Sequence, residues 1–428
     1  MNKKVTNFLC LLLPAFALIL GLNANTNGEP IKTGFIAWPE LKNFSNKWLK
    51  NQYSGDDSFI HADLDLNQNV DLADFSLWSK YWRKNKSYTI SYDPYKNVNW
   101  NRWRRALAQH HDHMGRLAIN RIRAYDQAGY NVIVPLDYAG KKSGGSNYCD
   151  YRLWPVYKYL SGFKSDEAVL ASLNNIRLFI PAMEEIGCHH ITSPFLTTYI
   201  ELWEPAYSPI KQQWHYQTSQ ECIDLINQYG GMAIIAHPTE KSNYYLNLQN
   251  YKGIEIINAH YYRLWFLGQS QLDYNEHFQA VWDDLLTNKD TKIWGFGVND
   301  WWGPWNNSNE AFIDSGKILV MVPSYSIADY RNSLEKGSFF AIQDCGAGKQ
   351  NKGKYPIISS IIVSNHSITI YTNGQVNWIA NGQIIAQGNS IDMAEYPIET
   401  GLKYVRAEIS NAYGTIFTQP WTLFTIPE

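Results

Sequence analysis

At 428 residues, with 45% hydrophobic and 18% charged side chains, the chain is long enough for one large or several smaller folded domains and too apolar to be disordered. A net charge of −2, from 37 basic and 39 acidic residues, gives no basic surface that would recommend nucleic acid as a partner. Aromatics reach 15%, with 17 Trp and 29 Tyr, which suits either a large core or a face that binds rings or sugars, and composition does not choose between them.

The first stretch sets the expected compartment. Lys3 and Lys4 precede an apolar run over 8–22 (FLCLLLPAFALILGL), and Ala24 offers a small residue for cleavage. This pattern predicts a secretory leader over 1–24 and a secreted, periplasmic or cell-surface protein. The alternative is a membrane anchor, against which stand the shortness of the run and Pro14. No later stretch resembles a spanning helix, so no membrane span is expected once the leader is removed. Cys10 would leave with the leader. Cys149, Cys188, Cys222 and Cys345 are too few and scattered for a disulfide scaffold, though one or two bridges can form.

Next, Asp63, Asp65, Asn67, Asp71 and Asp74 stand at positions 1, 3, 5, 9 and 12 of a loop, with Val70 at position 8. Ca²⁺ takes six to eight oxygens, and this alternation turns successive oxygen side chains inward. Phe75, Leu77, Trp78, Tyr81 and Trp82 follow at helical spacing. The segment resembles a dockerin half-repeat, departing from an EF-hand loop in Gln68 at the usual glycine and in Asp74 at the usual Glu. A degenerate half-repeat aligns upstream, matching Leu41, Phe44, Ser45 and Trp48 to Phe75, Trp78, Ser79 and Trp82. A small helical calcium module is therefore expected over 29–84. The resemblance implies a cohesin-like protein partner; the plain alternative is an acidic surface loop without metal.

From 88 to 346, short apolar runs alternate with helical patterns. Strands are expected at 105–109, 132–136, 177–182, 232–236, 254–257 and 293–298, with helices such as 116–128, 167–174 and 218–228. Such alternation argues for an α/β barrel or a mostly parallel sheet. His111 and His113 follow the first strand, Asp137 the second, and Glu184, His189 and His190 the third. His237 follows the fourth, and Asp300 follows the last. The carboxyl ends of parallel strands converge on one mouth, where α/β barrels keep their chemistry.

In order and spacing, His111-Asp-His113, the 132–137 strand with its closing acid, Pro181-Ala-Met-Glu184, Ala236-His237-Pro238 and Asn299-Asp300 resemble the PHP (polymerase and histidinol phosphatase) superfamily. The resemblance covers roughly 104–340 and implies a distorted β/α barrel. It implies a first divalent metal on His111, His113, Glu184 and Asp300, and a second on Glu184, His190 and His237, with Glu184 bridging. Tyr138 and Trp302 stand where the family has histidines, so two metals are expected and a third is not. Imidazole with carboxylate suits Zn²⁺, Mn²⁺ or Fe²⁺ without choosing among them. His110 and His189 neighbour expected ligands and would point the other way in an extended chain.

Two metals can activate water without a serine or cysteine nucleophile, and neither a nucleophile elbow nor a Walker loop is present. The expected activity is hydrolysis of a small-molecule ester, phosphoesters being the family's usual substrates. Glu184, Asp137 and Asp300 are the expected catalytic residues, with Arg263 and Lys241 as candidates to neutralise a phosphate. After a Gly/Lys-rich stretch at 346–354, strand-like runs at 357–363, 367–371, 376–380 and 383–386, with an Asn381-Gly382 turn, predict a β-sandwich over 355–428. With Tyr404-Val-Arg-Ala, this region resembles the module appended to carbaryl-hydrolase-like PHP proteins, which admits carboxylic or carbamic esters as substrates. A barrel that binds a glycan or partner without catalysis is the remaining alternative.

Overall fold

The computed structural model describes residues 88–113, 119–136, 138–139, 155–182, 184–185, 190–197, 206–208, 213–215, 218–261, 273–300, 315–345 and 353–425. The leader, the calcium loop, Asp137, His189, Arg263 and Trp302 lie outside them, and of Tyr138 and Glu184 only the backbone is described. Two compact units are distinguished. The smaller includes 88–89, 392–400 and 425, where Tyr88 donates to the Ile398 carbonyl (2.9 Å). The larger holds 90–391 and 401–424 and carries the site.

Strands β1 (Tyr88–Tyr92) and β2 (Arg104–Gln109) open the described chain. Two short pieces follow along each of two runs: β3 (Val132–Ile133) and β4 (Tyr138–Ala139), then β5 (Leu178–Phe179) and β6 (Glu184–Glu185). β7 (Ile191–Thr192), β8 (Ala206–Ser208), β9 (Gln213–His215) and β10 (Ile234–Ile235) come next. β11 (Gly253–Asn258) and β12 (Trp294–Val298) are buried along their whole length, so their sequences read as apolar runs and not as alternation. β13 (Gly316–Val322) and β14 (Phe339–Asp344) complete this part.

Parallel pairing joins β2 to β3 and β3 to β5, while a second ladder runs β12-β11-β10-β7-β6-β4. Within it, β10, β11 and β12 are parallel. The β3 and β5 runs continue into β4 and β6 of the second ladder. At the other side, β12 and β13 press together at two glycines: a Cβ on Gly316 would collide with the Val298 carbonyl, and one on Gly297 with the Lys317 carbonyl. Only glycine admits backbones at that separation.

Six helices cover the strands: α1 (Ile119–Gln127), α2 (Asp166–Ala171), α3 (Ser219–Gln228), α4 (Ser242–Asn247), α5 (Tyr274–Asn288) and α6 (Ile327–Glu335) among the described residues. Their starts are written locally. Ser165, Asp273 and Ser326 cap α2, α5 and α6, and Thr218 with Glu221 forms a full capping box on α3. Ile223 and Ile226 of α3 and Val281, Trp282 and Leu285 of α5 fill one core with Ile254, Ile256 and Ile257 of β11. No helix among the described residues is long and apolar enough to cross a membrane.

The C-terminal strands are β15 (Ile358–Val363), β16 (Ser367–Thr372), β17 (Gln375–Ala380), β18 (Gln383–Gln387), β19 (Ser390–Asp392), β20 (Tyr404–Asn411), β21 (Gly414–Thr418) and β22 (Trp421–Thr425). Asn381 and Gly382 both have positive φ (48° and 70°), as a two-residue hairpin between β17 and β18 requires. β15, β16 and β19 form a three-stranded sheet. β20 and β21 do something the Gly/Lys-rich stretch does not announce: β21 pairs along its length with β14, from Phe340↔Thr418 to Asp344↔Gly414. The result is one continuous ladder through β20, β21, β14, β13, β2, β3 and β5. Tyr404 and Phe417 enter the same core as α3, α5 and β11.

Candidate metal centre

Three ligand atoms from three chain positions meet in the larger unit. His111 Nε2, His113 Nε2 and Asp300 Oδ1 lie 3.3 Å from one another on every side. A tetrahedral cation with bonds of about 2.0–2.1 Å spaces its ligand atoms about 3.3–3.4 Å apart, so the triangle has the size such a cation needs. All three side chains are buried. Two imidazole nitrogens and one carboxylate oxygen are the donors a borderline divalent cation takes.

Each ligand is held by local chemistry. The backbone N–H groups of His110, His111 and Asn299 donate to Gln109 Oε1 (3.1, 3.3 and 3.0 Å), while Gln109 Nε2 donates to the Gly316 carbonyl. One buried amide thus pins the exit of β2 to the exit of β12. The Asp300 N–H donates to the His111 carbonyl (2.6 Å), which adds a second tie. Asp112, between the two histidines, turns away from the triangle. It accepts from Arg121 (2.9 Å) and from the Tyr125 hydroxyl, and Arg121 also donates to the His113 carbonyl (2.8 Å). Burial pushes the Asp112 carboxyl up, with Arg121 opposing. Burial would also raise Asp300, but His111, His113 and His237 outweigh it and hold that carboxyl well below the usual carboxylate range.

Beside the triangle, His190 Nδ1 and His237 Nε2 stand 3.0 Å apart, and the His237 ring lies 5.9 Å from that of His111. Burial lowers the His237 pKa. His237 and Asp300 have positive φ (24° and 49°), a conformation that non-glycine residues adopt at a cost of order 1–3 kcal/mol and that concentrates at functional sites.

Of the residues singled out in the sequence, His111, His113 and Asp300 form the triangle, and His190 and His237 form the neighbouring pair. Glu184 has its backbone on β6, paired with Tyr138 and Thr192. Lys241 is exposed, at the start of α4. His110 points away: its Nε2 meets the Tyr330 hydroxyl at 2.7 Å, its ring packs on Phe296, and burial drives its pKa down to about 3.

Sequence reasoning missed Glu255. It is fully buried on β11, with Oε1 2.6 Å from His111 Nδ1. The signal was an acid inside an apolar strand run, since an unpartnered carboxylate there would be too costly to bury.

No family model matches the chain, and no curated protein matches it. A solved structure is similar to it. That structure is described as a two-domain protein containing a predicted PHP-like metal-dependent phosphoesterase, from Bacteroides vulgatus. The match has 13% identity and a TM-score of 0.36, and covers 79% of this chain and 97% of the other. So loose a superposition carries no functional argument, which rests on the site's own geometry.

Proposed function

We propose that this chain is a metal-dependent hydrolase, a phosphoesterase of PHP-like type with a distorted β/α barrel. The observation that carries the proposal is the buried 3.3 Å triangle of His111 Nε2, His113 Nε2 and Asp300 Oδ1. Glu255 and Asn258 hold the outward atoms of His111 and Asp300, and a divalent cation would be taken by the two Nε2 atoms and Oδ1 that face one another. Once bound, such a cation supplies Lewis acidity toward an ester and toward water. His111, His113 and Asp300 would hold it, and Asn258 Nδ2, donating to Asp300 Oδ2 (3.0 Å), keeps Oδ1 turned inward.

His190 and His237 are proposed as part of a second cation site, with Glu184 as the bridge and Asp137 as a positioning acid. Tyr138 and Trp302 in place of family histidines support two cations and not three. Arg263 and Lys241 are proposed to neutralise the substrate's charge. Export through the 1–24 leader, and a calcium module over 29–84 that docks a cohesin-like partner, complete the proposal on sequence pattern. A carboxylic or carbamic ester at the same site is the alternative substrate.

The test is to strip the purified full-length protein with chelator, reload it with Zn²⁺ or Mn²⁺, and assay phosphomonoesters, phosphodiesters and carboxylesters. Phosphoester hydrolysis should appear with the cation and fall at least about a hundredfold in His113→Ala and Asp300→Asn, the upper end of what loss of metal-supporting groups costs. A fully loaded protein that hydrolyses no ester would overturn the enzymatic assignment.

A further inference from the structure

Glu255 belongs to no motif and to no expected ligand set, yet it touches three of the strand ends that build the site. Its Oε1 lies 2.6 Å from His111 Nδ1. Its Oε2 accepts from the His237 backbone N–H (2.7 Å) and from Asn258 Nδ2 (3.0 Å). Asn258 Nδ2 has a second hydrogen, which goes to Asp300 Oδ2 (3.0 Å). One buried carboxylate is thereby tied to the exits of β2 and β10 directly and to the exit of β12 through one amide.

The strand is irregular at this residue. The β11–β12 register shifts between Glu255 and Ile257, and Ile254, Ile256 and Ile257 all enter the same apolar core. Strict alternation sets Glu255 on the face opposite Ile254 and Ile256, and the bulge sends Ile257, which would otherwise lie on the acid's face, into the core with them. Of these four residues the acid is the one that faces the site.

We propose that Glu255 is the positioning residue of the cation site, setting the ring tautomer of His111 while locking the His237 and Asp300 ends in register. The proposal rests on the cation-site reading above. An ionised carboxylate only accepts hydrogen bonds, so the contact at Oε1 requires the His111 proton on Nδ1. Nε2 then keeps its lone pair, and Nε2 is the atom in the triangle. Carboxylate–histidine–metal relays fix orientation and tautomer in this way. The bond to the His237 N–H acts where φ is 24°, and the Asn258 link acts where φ of Asp300 is 49°. The same group therefore holds the strained His237 backbone directly and the Asp300 carboxylate through Asn258.

Glu255→Gln tests this with little change in size. Its NH₂ group must face either the two N–H donors at the Oε2 position or the single His111 Nδ1 at the Oε1 position. The second choice sets fewer donors against each other. It makes Nδ1 an acceptor and moves the proton to Nε2, where it blocks the cation. The full-length, cation-free protein, ¹⁵N-labelled at histidine, reports each tautomer by its ring nitrogen shifts, with the His111 signal assigned by its loss in His111→Ala. Zn²⁺ affinity is measured by competition with a chromogenic chelator.

At a pH high enough to keep the ring neutral, wild type should show His111 protonated on Nδ1 alone. Glu255→Gln should show it on Nε2 and bind Zn²⁺ about 10–100-fold more weakly. His111 protonated on Nε2 in wild type, or unchanged Zn²⁺ affinity in Glu255→Gln, overturns the proposal. A wild type that binds no Zn²⁺ overturns the cation-site reading, while the tautomer spectra still decide whether Glu255 sets His111. Should Glu255→Gln not fold, the wild-type spectrum alone carries the decision.

Discussion

Asp283→Ala should destabilise the larger unit by about 3–5 kcal/mol, the cost of stranding one member of a buried ion pair. Asp283 on α5 and Arg406 on β20 form a bidentate pair, with Nε to Oδ1 and Nη2 to Oδ2 both at 2.7 Å. The two residues are 7% and 2% exposed, so water cannot replace the lost partner. Burial opposes the Arg406 charge, but Asp283, and after it Glu408, outweigh burial and hold the guanidinium protonated. Asp283→Ala leaves only Glu408 (2.7 Å to Nη1), which lies nearer solvent, and removes the acceptor of the Tyr404 hydroxyl (2.8 Å). Against a total stability of about 5–15 kcal/mol, such a loss is about a fifth at the least and the whole at the most. Adding Arg406→Met should recover most of it, because an apolar side chain of similar volume needs no partner. Urea unfolding followed by tryptophan fluorescence reads the loss, with Trp282, whose ring lies 5.0 Å from the Arg406 guanidinium, among the contributing side chains. A loss below about 1 kcal/mol would show that Arg406 reaches water without Asp283. The C-terminal strands would then not be energetically joined to α5.

Elemental analysis of metal-loaded protein, calcium apart, should give close to two divalent transition-metal equivalents; three tightly held would refute the expected loss of the third site at Tyr138 and Trp302. Because burial lowers the His110 pKa to about 3, the unfolded chain takes up this proton first as pH falls below about 6.5. Stability due to this group should therefore be complete above that pH and decline by about 1.4 kcal/mol per pH unit toward about 3. His110→Gln, whose amide can still meet the Tyr330 hydroxyl, should flatten that slope in urea titrations, and an unchanged slope would assign it to other groups. In the N-terminal segment, Asp63→Ala with Asp74→Ala should abolish one bound Ca²⁺ by equilibrium dialysis; unchanged calcium content would make the loop acidic surface only.

The residues of the triangle and of the histidine pair beside it were legible in the sequence because each follows a short apolar run whose carboxyl end is a strand exit. His111, His113, His237 and Asp300 carry that mark within a few residues of themselves. The opposed directions of His110 and His111 were also legible, since successive side chains of an extended chain alternate. Helix starts at Ser165, Thr218, Asp273 and Ser326 are local too, because a cap needs only the residue and the backbone just after it. What tertiary structure alone decided is everything that depends on distant partners. Glu255 is one acid in an apolar strand until the fold brings a histidine from another strand within 2.6 Å of it. The pairing of β21 with β14 follows from register and from the burial of Phe417 and Tyr404, and no composition change at 346–354 foretells it. Local sequence sets what a residue can do with its neighbours in the chain, whereas the pKa of Asp300 and the separation of three ligand atoms are set by groups brought together only when the strands align.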